Sequence, residues 1–187
     1  MGHLFERAKT GRAKCRGCGK AIAGGETRFG ERLPNPFDDN GGELTHWFHV
    51  PCAAFLRPDA FLEALPAAAE PIADRERLDA QARLGVTHRR LPRATAVARA
   101  SSGRATCRSC RQAIGKDTWR IALVYNEEGR FVPSGFIHLE CALPYLETLD
   151  VVERLRYFSP EVREAEWREI ADGLAAPPRP AADTGSS

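Results

Sequence analysis

The sequence predicts an α+β protein made of two small, similar domains. Three observations support this fold class: a cysteine and histidine pattern that occurs twice, paired strand-like segments inside each copy, and helix-like periodicity after each copy. The chain has 187 residues, of which 43% are hydrophobic and 28% charged, enough for one compact domain or two small ones. No run approaches the roughly 18 apolar residues of a membrane helix.

The six cysteines form two groups of three, and odd groups cannot close into disulfides among themselves. A histidine three residues before the last cysteine completes each group. The two sets are Cys15, Cys18, His49 and Cys52, and Cys107, Cys110, His138 and Cys141. Three thiolates and one imidazole form the ligand set of a closed structural zinc site, so we predict two Zn²⁺ ions per chain. The alternatives are a redox pair or buried thiols, but a redox C-x-x-C needs no downstream H-x-x-C.

The two ligand groups belong to an internal repeat. Residues 11–18 align with residues 103–110 at an offset of 92 positions, and the H-x-x-C halves align at an offset of 89. A loop that is three residues shorter in the second copy accounts for the difference. His46 also precedes Cys52 at a plausible spacing, but Gly135 takes its place in the second copy. We therefore predict His49 as the ligand.

Each copy is expected to contain a small antiparallel hairpin. Segments rich in aromatic and β-branched residues are separated by turn residues, as hairpin strands are. The predicted strands are residues 26–32 and 44–49 in the first copy, and 119–125 and 131–138 in the second.

Helices are expected after each H-x-x-C half-site. Trp167, Ile170 and Leu174 share one apolar helical face, and Ser159 followed by Pro160 predicts the N-cap and first turn of that helix. Residues 73–84 are predicted to form the corresponding helix of the first copy.

The predicted domains are residues 1–92 and 93–176, each held together by one zinc site. Residues 94–102 are small, basic and weakly patterned, which indicates a linker. Residues 177–187 are rich in Pro, Ala and Ser, which indicates a disordered tail.

The residues around the ligands resemble a known family. In the first copy these are residues 8–18, Ile22, Arg28 and residues 46–52, which are similar to the PARP-type zinc finger, the DNA-break sensor of poly(ADP-ribose) polymerase and of one DNA ligase. Residues 102–107, 114–122 and 136–141 resemble the same finger in the second copy. The resemblance covers nearly all of residues 8–176 and leaves no segment for a catalytic ADP-ribosyl transferase domain, so we expect the sensor without the enzyme.

The resemblance implies two kinds of DNA contact. Phosphates would be held by Arg12 and Arg28 in the first copy and by Arg104 and Arg120 in the second. Apolar loop residues would stack on the base pair that a break exposes, and the candidates are Phe37, Leu44, Phe131 and Val132. Each kind has a structural alternative: Arg12 and Arg104 bracing the zinc thiolates, Arg28 and Arg120 as exposed strand residues, and Phe37 as hairpin core.

The function expected from these observations is sequence-independent binding of nicked or broken DNA, with repair proteins as possible partners. Residues 93–141 carry 8 basic and 4 acidic groups, so positive charge collects around the second ligand group. The alternative is a zinc-stapled protein-interaction module. We expect no enzyme activity and no small-molecule substrate, because four protein ligands leave zinc no open position.

The first nine residues lack the apolar segment of a secretion signal, so we expect an intracellular protein, in the cytoplasm and nucleoid of a bacterium or the nucleus of a eukaryote.

Overall fold

The computed structural model describes residues 2–35, 41–127 and 129–182 of the chain. The Cα positions divide into two compact units. The first contains Met1–Thr87 and Glu128–Phe131, and the second contains His88–Glu127 and Val132–Ser187. The boundary predicted near residue 92 concerns domains that fold independently, and it stays a prediction.

A three-stranded antiparallel sheet forms one side of the first unit. Its strands β1 (Leu4–Arg7), β2 (Thr27–Pro34) and β3 (Glu43–His49) follow one another in space as they do in sequence. The predicted hairpin corresponds to β2 and β3. Strand β1 was not predicted, because four residues are too few to display a periodic pattern.

The first unit also contains three helices, α1 (Val50–Leu56), α2 (Pro58–Ala64) and α3 (Arg75–Thr87); α1 and α2 contact the sheet, and α3 packs on α1 and α2. Helix α1 begins directly after the histidine at the end of β3, so Cys52 lies in its first turn. The helix predicted over residues 73–84 is α3. Prolines in the first turns of α1 and α2 fit there because those backbone nitrogens have no intrahelical partner.

Four phenylalanines form an aromatic cluster in the core of the first unit. Phe29, Phe48 and Phe61 are fully buried, and Phe5 of β1 is nearly so. The ring of Phe5 lies 5.3 Å from that of Phe29 and 5.5 Å from that of Phe61, in tilted and edge-on arrangements that aromatic rings favour. This cluster joins the sheet to α2 and fixes the end of β3, where the histidine ligand lies.

The second unit contains a sheet with the same strand order. Its strands are β4 (Ala94–Arg99), β5 (Trp119–Glu127) and β6 (Arg130–His138). The prediction of a linker over residues 94–102 is therefore wrong for its first six residues. Alanine has low strand propensity, which hid β4, but Ala94 and Val97 are fully buried, and tertiary packing overrides that preference.

Helices α4 (Ala142–Leu146), α5 (Val152–Phe158) and α6 (Glu164–Ala175) complete the second unit. The predicted apolar face of α6 is confirmed, because Trp167, Ile170 and Leu174 are its buried residues. No helix in the described ranges is long and apolar enough to cross a membrane.

The predicted start of that last helix at Ser159 is wrong. Ser159 ends α5 and is buried, and its hydroxyl oxygen accepts a hydrogen bond of 2.8 Å from the backbone N–H of Val97 in β4. Helix α6 begins at Glu164, after a cap at Arg163. The serine, proline and acid therefore form a connection between helices, which the N-cap pattern alone does not distinguish from a helix start.

Residues 177–182 lie against the second unit, in contrast to the disordered tail predicted for residues 177–187. The backbone N–H of Ala182 donates to the carbonyl of Cys110 at 2.8 Å, and Gln112 donates to the carbonyl of Pro180 at 2.8 Å. Arg179 also forms an ion pair with Glu140. Composition could not reveal these contacts, because their partners lie about 40 to 70 positions earlier in the chain. Residues 183–187 lie outside the described residues.

Candidate zinc centres and nucleic-acid surface

The predicted ligands of the first unit meet in one place. The ligand atoms of Cys15, Cys18, His49 and Cys52 all lie within 4.8 Å of one another. Nδ1 of His49 is 3.3 Å from Sγ of Cys18 and 4.0 Å from Sγ of Cys52. Tetrahedral zinc with ordinary bond lengths separates a sulfur from a nitrogen ligand by about 3.5 Å. The donors and their spacing therefore fit Zn²⁺.

The second unit repeats this arrangement with Cys107, Cys110, His138 and Cys141. Nδ1 of His138 lies 3.4 Å from Sγ of Cys110 and 3.8 Å from Sγ of Cys141. All four ligands are buried, whereas Cys18 and His49 of the first unit are half-buried. The protein thus has two Cys₃His zinc-binding sites. His46, the alternative ligand considered from sequence, belongs to neither cluster.

Both histidines are held by the same backbone contact. Nε2 of His49 lies 3.1 Å from the carbonyl oxygen of Ala21, and Nε2 of His138 lies 3.2 Å from that of Ala113. Donation from Nε2–H to a carbonyl leaves the lone pair of Nδ1 directed at the thiols. This hydrogen bond selects the tautomer that can bind a metal through Nδ1.

The pKa is lowered for two thiols of the first site and raised for one thiol of the second. A hydrogen bond from Cys52 lowers the pKa of Cys18 to about 5 and that of Cys15 to about 7. In the second site, burial raises the pKa of Cys141 to about 12. A dication at the centre of either cluster displaces the remaining protons, so zinc uptake is coupled to proton release. A Zn²⁺ ion held there would cross-link the C-x-x-C segment to the H-x-x-C half-site.

The backbone around each C-x-x-C pair also repeats at the offset of 92 residues. Isolated bridges join Lys14 to Ala21 and Thr106 to Ala113. The residue after the second cysteine has a left-handed backbone in both copies, with φ of 73° at Gly19 and 64° at Arg111. The sequence repeat is therefore a repeat of three-dimensional structure.

Comparison with known proteins identifies the first unit. Residues 6–87 match the family described as the poly(ADP-ribose) polymerase and DNA-ligase Zn-finger region. The first unit is a PARP-type zinc finger. The second unit carries the same strand order and ligand set, and for convenience the two units are called the first and second fingers below.

Two curated relatives extend the similarity beyond residue 87. The poly(ADP-ribose) polymerase of Drosophila melanogaster is 29% identical over 74% of this chain, and poly(ADP-ribose) polymerase 1 of Gallus gallus is 31% identical over 88% of it. The chain spans only 16% and 18% of the length of these relatives. The similarity therefore concerns a zinc-finger portion of much larger proteins.

The arginines that precede the first cysteine of each finger are exposed. Arg12 and Arg104 lie on the surface, and within the described part of the chain neither has a carboxylate within ion-pair distance. Neither guanidinium donates to a thiol among the hydrogen bonds of the two zinc sites. The alternative that these arginines brace the thiolates has no contact to support it.

Arg28, the strand arginine of the first finger, already contacts two side chains of the protein. The guanidinium of Arg28 forms an ion pair of 2.5 Å with Glu6 on β1, and it lies 3.5 Å from the ring centroid of Trp47. Only 11% of the Arg28 side chain is exposed. Its positive charge is therefore largely neutralised, and the alternative of an exposed strand residue does not describe it.

The corresponding arginine of the second finger has a different neighbour. Arg120 stacks on Phe136 at 3.5 Å, as Arg28 stacks on Trp47. The residue paired with Arg120 across the sheet is Ala98, however, where Glu6 pairs with Arg28. The Nε atom of Arg120 is buried without a hydrogen-bond partner. The second finger thus presents the same stacked guanidinium without the neutralising carboxylate.

The predicted stacking residues lie at separate positions. Leu44 is half-buried on β3, where it pairs with Leu33. Phe131 and Val132 are consecutive, half-buried residues of β6, and the unit boundary falls between them: Phe131 belongs to the first unit, where its ring lies 6.1 Å from that of Phe48, and Val132 belongs to the second. Phe37 lies outside the described residues. All four assignments remain predictions.

Sequence reasoning missed Glu6, because its effect depends on the register of β1 against β2. A group of arginines beside the second zinc site was also not predicted: Arg90, Arg93, Arg108 and Arg111. The sequence contained one sign of this group, because the repeat has an arginine at position 111 where the first copy has Gly19.

Proposed function

We propose that this protein binds DNA strand breaks or ends independently of base sequence, as a zinc-dependent, non-catalytic sensor or adaptor in DNA repair inside the cell. The family match of the first finger supports the proposal, together with the similarity of the chain to two poly(ADP-ribose) polymerases. The observation that carries it is an exposed arginine, free of any ion pair in the described residues, three positions before the first cysteine of each finger: Arg12 and Arg104.

Exposed guanidinium groups beside a rigid zinc site suit phosphate binding. A guanidinium binds two phosphate oxygens at once, and a zinc-held backbone fixes where it lies. Contacts of this kind position a protein on DNA but carry no sequence information. Arg120 is a further phosphate ligand in this proposal. Arg28 is expected to bind phosphate more weakly, because its ion pair with Glu6 neutralises its charge.

The proposed role of zinc is structural. Each site has four protein ligands, the number that closes a tetrahedral zinc centre. The proposed role of the metal is therefore to hold in place the backbone that carries Arg12 and Arg104. We propose that a separate repair enzyme acts on the break to which this protein is bound.

The proposal is tested with a covalently closed DNA minicircle and the same minicircle carrying one nick. We expect tighter binding to the nicked form, by roughly tenfold, because an aromatic side chain stacked on an exposed base contributes about 1–3 kcal/mol. Changing the sequence around the nick should matter little. Equal affinity for both forms at matched salt would contradict break recognition, and affinity that is insensitive to salt would favour the protein-interaction alternative.

Two variants separate the predicted contacts in the same assay. Arg12→Ala should weaken binding to both forms and reduce the slope of log affinity against log salt by roughly one. Phe37→Ala should reduce the preference for the nick while leaving the slope unchanged, because an aromatic ring releases no counterion. Arg83→Ala is the matched control, since Arg83 is exposed on α3 and ion-paired with Asp79.

A further inference from the structure

The second finger contains an arginine-lined groove that includes none of the predicted phosphate-binding arginines and shares only Val132 with the predicted stacking residues. It has a volume of about 700 Å³ and lies entirely within the second unit. Four arginines line it: Arg90, Arg93, Arg108 and Arg111. A concavity of this size is in the range that holds a ligand, and its lining carries far more positive than negative charge.

The arginines are held by uncharged groups. Nη2 of Arg93 donates to the hydroxyl of Ser134 at 3.3 Å, and Nε of Arg108 donates to the carbonyl of the same residue at 3.0 Å. The guanidinium groups of Arg90 and Arg93 lie 5.3 and 5.9 Å from the ring centroid of Tyr145. These contacts orient the side chains and leave their charge available.

The groove lacks the ion pairs that occupy arginines elsewhere in the protein. Arg99 and Arg156, for example, each contact a glutamate. In the described residues, no carboxylate lies within ion-pair distance of the four groove arginines, and one acid, Glu127, is among the lining residues. Arginines clustered without carboxylates repel one another, so an anionic ligand would stabilise this arrangement.

Two of these arginines depend on an unusual backbone conformation, Arg108 on that of Gly135 and Arg111 on its own. Gly135 has φ of 106°, and a Cβ atom there would lie 2.7 Å from Nε of Arg108, so a side chain at this position would displace the guanidinium. Arg111 has φ of 64°, a left-handed conformation that costs a non-glycine residue free energy, and the first finger has Gly19 there. The second finger thus places a cation where its fold favours glycine.

An aromatic side chain lies at the same groove. Tyr125 on β5 is 55% exposed, and Val132, Pro133 and Pro144 provide apolar lining nearby. A largely exposed tyrosine beside arginines combines a stacking surface with phosphate ligands. That combination is typical of proteins that bind single-stranded nucleic acid.

We propose that this groove holds an unpaired DNA strand that leads away from the break, with phosphates on the arginines and a base stacked on Tyr125. The inference rests on the proposed function and extends it, because it makes a tailed or forked end the preferred break structure. A duplex does not suit the groove as well, since its bases are already stacked and offer no free face to the tyrosine.

The test compares a blunt duplex with the same duplex carrying unpaired thymidine tails on both strands at one end, using the full chain loaded with zinc. We expect the forked DNA to bind roughly tenfold more tightly. Tyr125→Ala should remove most of this gain without changing the salt slope, whereas Tyr157→Ala, which removes a partly exposed tyrosine that does not line the groove, should retain it.

Arg111→Gly provides the sharpest variant, because glycine suits the observed φ and occurs naturally in the first finger. We expect an unchanged or higher melting temperature, full zinc content, unchanged blunt-end binding and weaker binding to the fork. The salt slope for an isolated oligothymidine should fall by about 0.7, the value for one lost phosphate contact on a single strand. Arg168→Ala, an exposed arginine on α6 outside the groove, is the matched control.

The outcomes separate this inference from the proposed function. If fork and blunt duplex bind equally while the nicked minicircle is still preferred over the closed one, break recognition stands and the groove proposal fails. If the nick preference is absent but oligothymidine binds and Arg111→Gly weakens that binding with the expected fall in salt slope, the groove proposal stands alone. Competition by a polyglutamate peptide as effective as that of oligothymidine would overturn it, because charge alone would then explain the binding.

Discussion

A single side chain distinguishes the strand arginines of the two fingers. Arg28 and Arg120 both stack on an aromatic ring, but Glu6 faces the first and Ala98 faces the second across the sheet. A carboxylate at this position both neutralises the guanidinium and repels a phosphate approaching it. The proposed phosphate binding should therefore be stronger in the second finger.

Glu6→Ala should raise DNA affinity several-fold by giving Arg28 the environment of Arg120. The slope of log affinity against log salt should steepen by up to about 0.9, the contribution of one added phosphate contact on duplex DNA. Ala98→Glu should do the reverse in the second finger. Both are measured by binding to nicked DNA over a range of salt concentrations.

Glu76→Ala is the control for Glu6→Ala, because it removes the same charge from an exposed position on α3. An increase no larger than that of the control would mean that net charge alone changed the affinity, and Arg28 would then have no direct role.

The zinc ligands could be predicted residue by residue because their spacing is dictated by coordination chemistry and occurs twice. The ion pair of Arg28 could not, because Glu6 lies on a four-residue strand whose pairing partner is 22 positions away. Nothing local in the sequence records that register.

At the scale of elements, the hairpins of both fingers could be predicted and the third strands could not. Strands β2, β3, β5 and β6 contain aromatic and β-branched residues that suit a half-buried pleated surface. Half of strand β4 is alanine, and the strand is fixed instead by packing against α5 and by the hydroxyl of Ser159. The strand therefore depends on a residue more than sixty positions further along the chain.

Ser159→Ala should destabilise the second finger by about 1–3 kcal/mol, because it leaves the buried N–H of Val97 without a partner. The melting temperature of that finger should fall by several degrees. Zinc content should stay unchanged at room temperature, since no ligand is altered.

Ser101→Ala is the matched control: it is the same substitution at an exposed position, and it should change stability by less than about 0.5 kcal/mol. Equal melting temperatures for the two variants would indicate that the hydroxyl of Ser159 is not needed to hold β4.

At the scale of the whole molecule, we predict two fingers that fold independently, each around one zinc ion. Cys18→Ala should lower the zinc content from two ions per chain to one and unfold the first finger, because a domain this small depends on its metal. The second finger should keep its ion and its cooperative thermal transition. Metal analysis and calorimetry measure the two effects.

Cys110→Ala is the reciprocal variant and should spare the first finger. Loss of both ions from either variant would contradict independent folding and would indicate a single cooperative unit.

The contacts of residues 177–182 with the second zinc site should lengthen the time for which that site keeps a bound zinc ion. Arg179 contacts the side chain next to Cys141, Ala182 donates to the carbonyl of Cys110, and all four ligands of the site are buried. A competing chelator must attack through this covering, whereas it reaches the half-buried Cys18 and His49 of the first site directly. Two sites with identical ligands should therefore differ in lifetime, with the first exchanging zinc quickly and the second slowly.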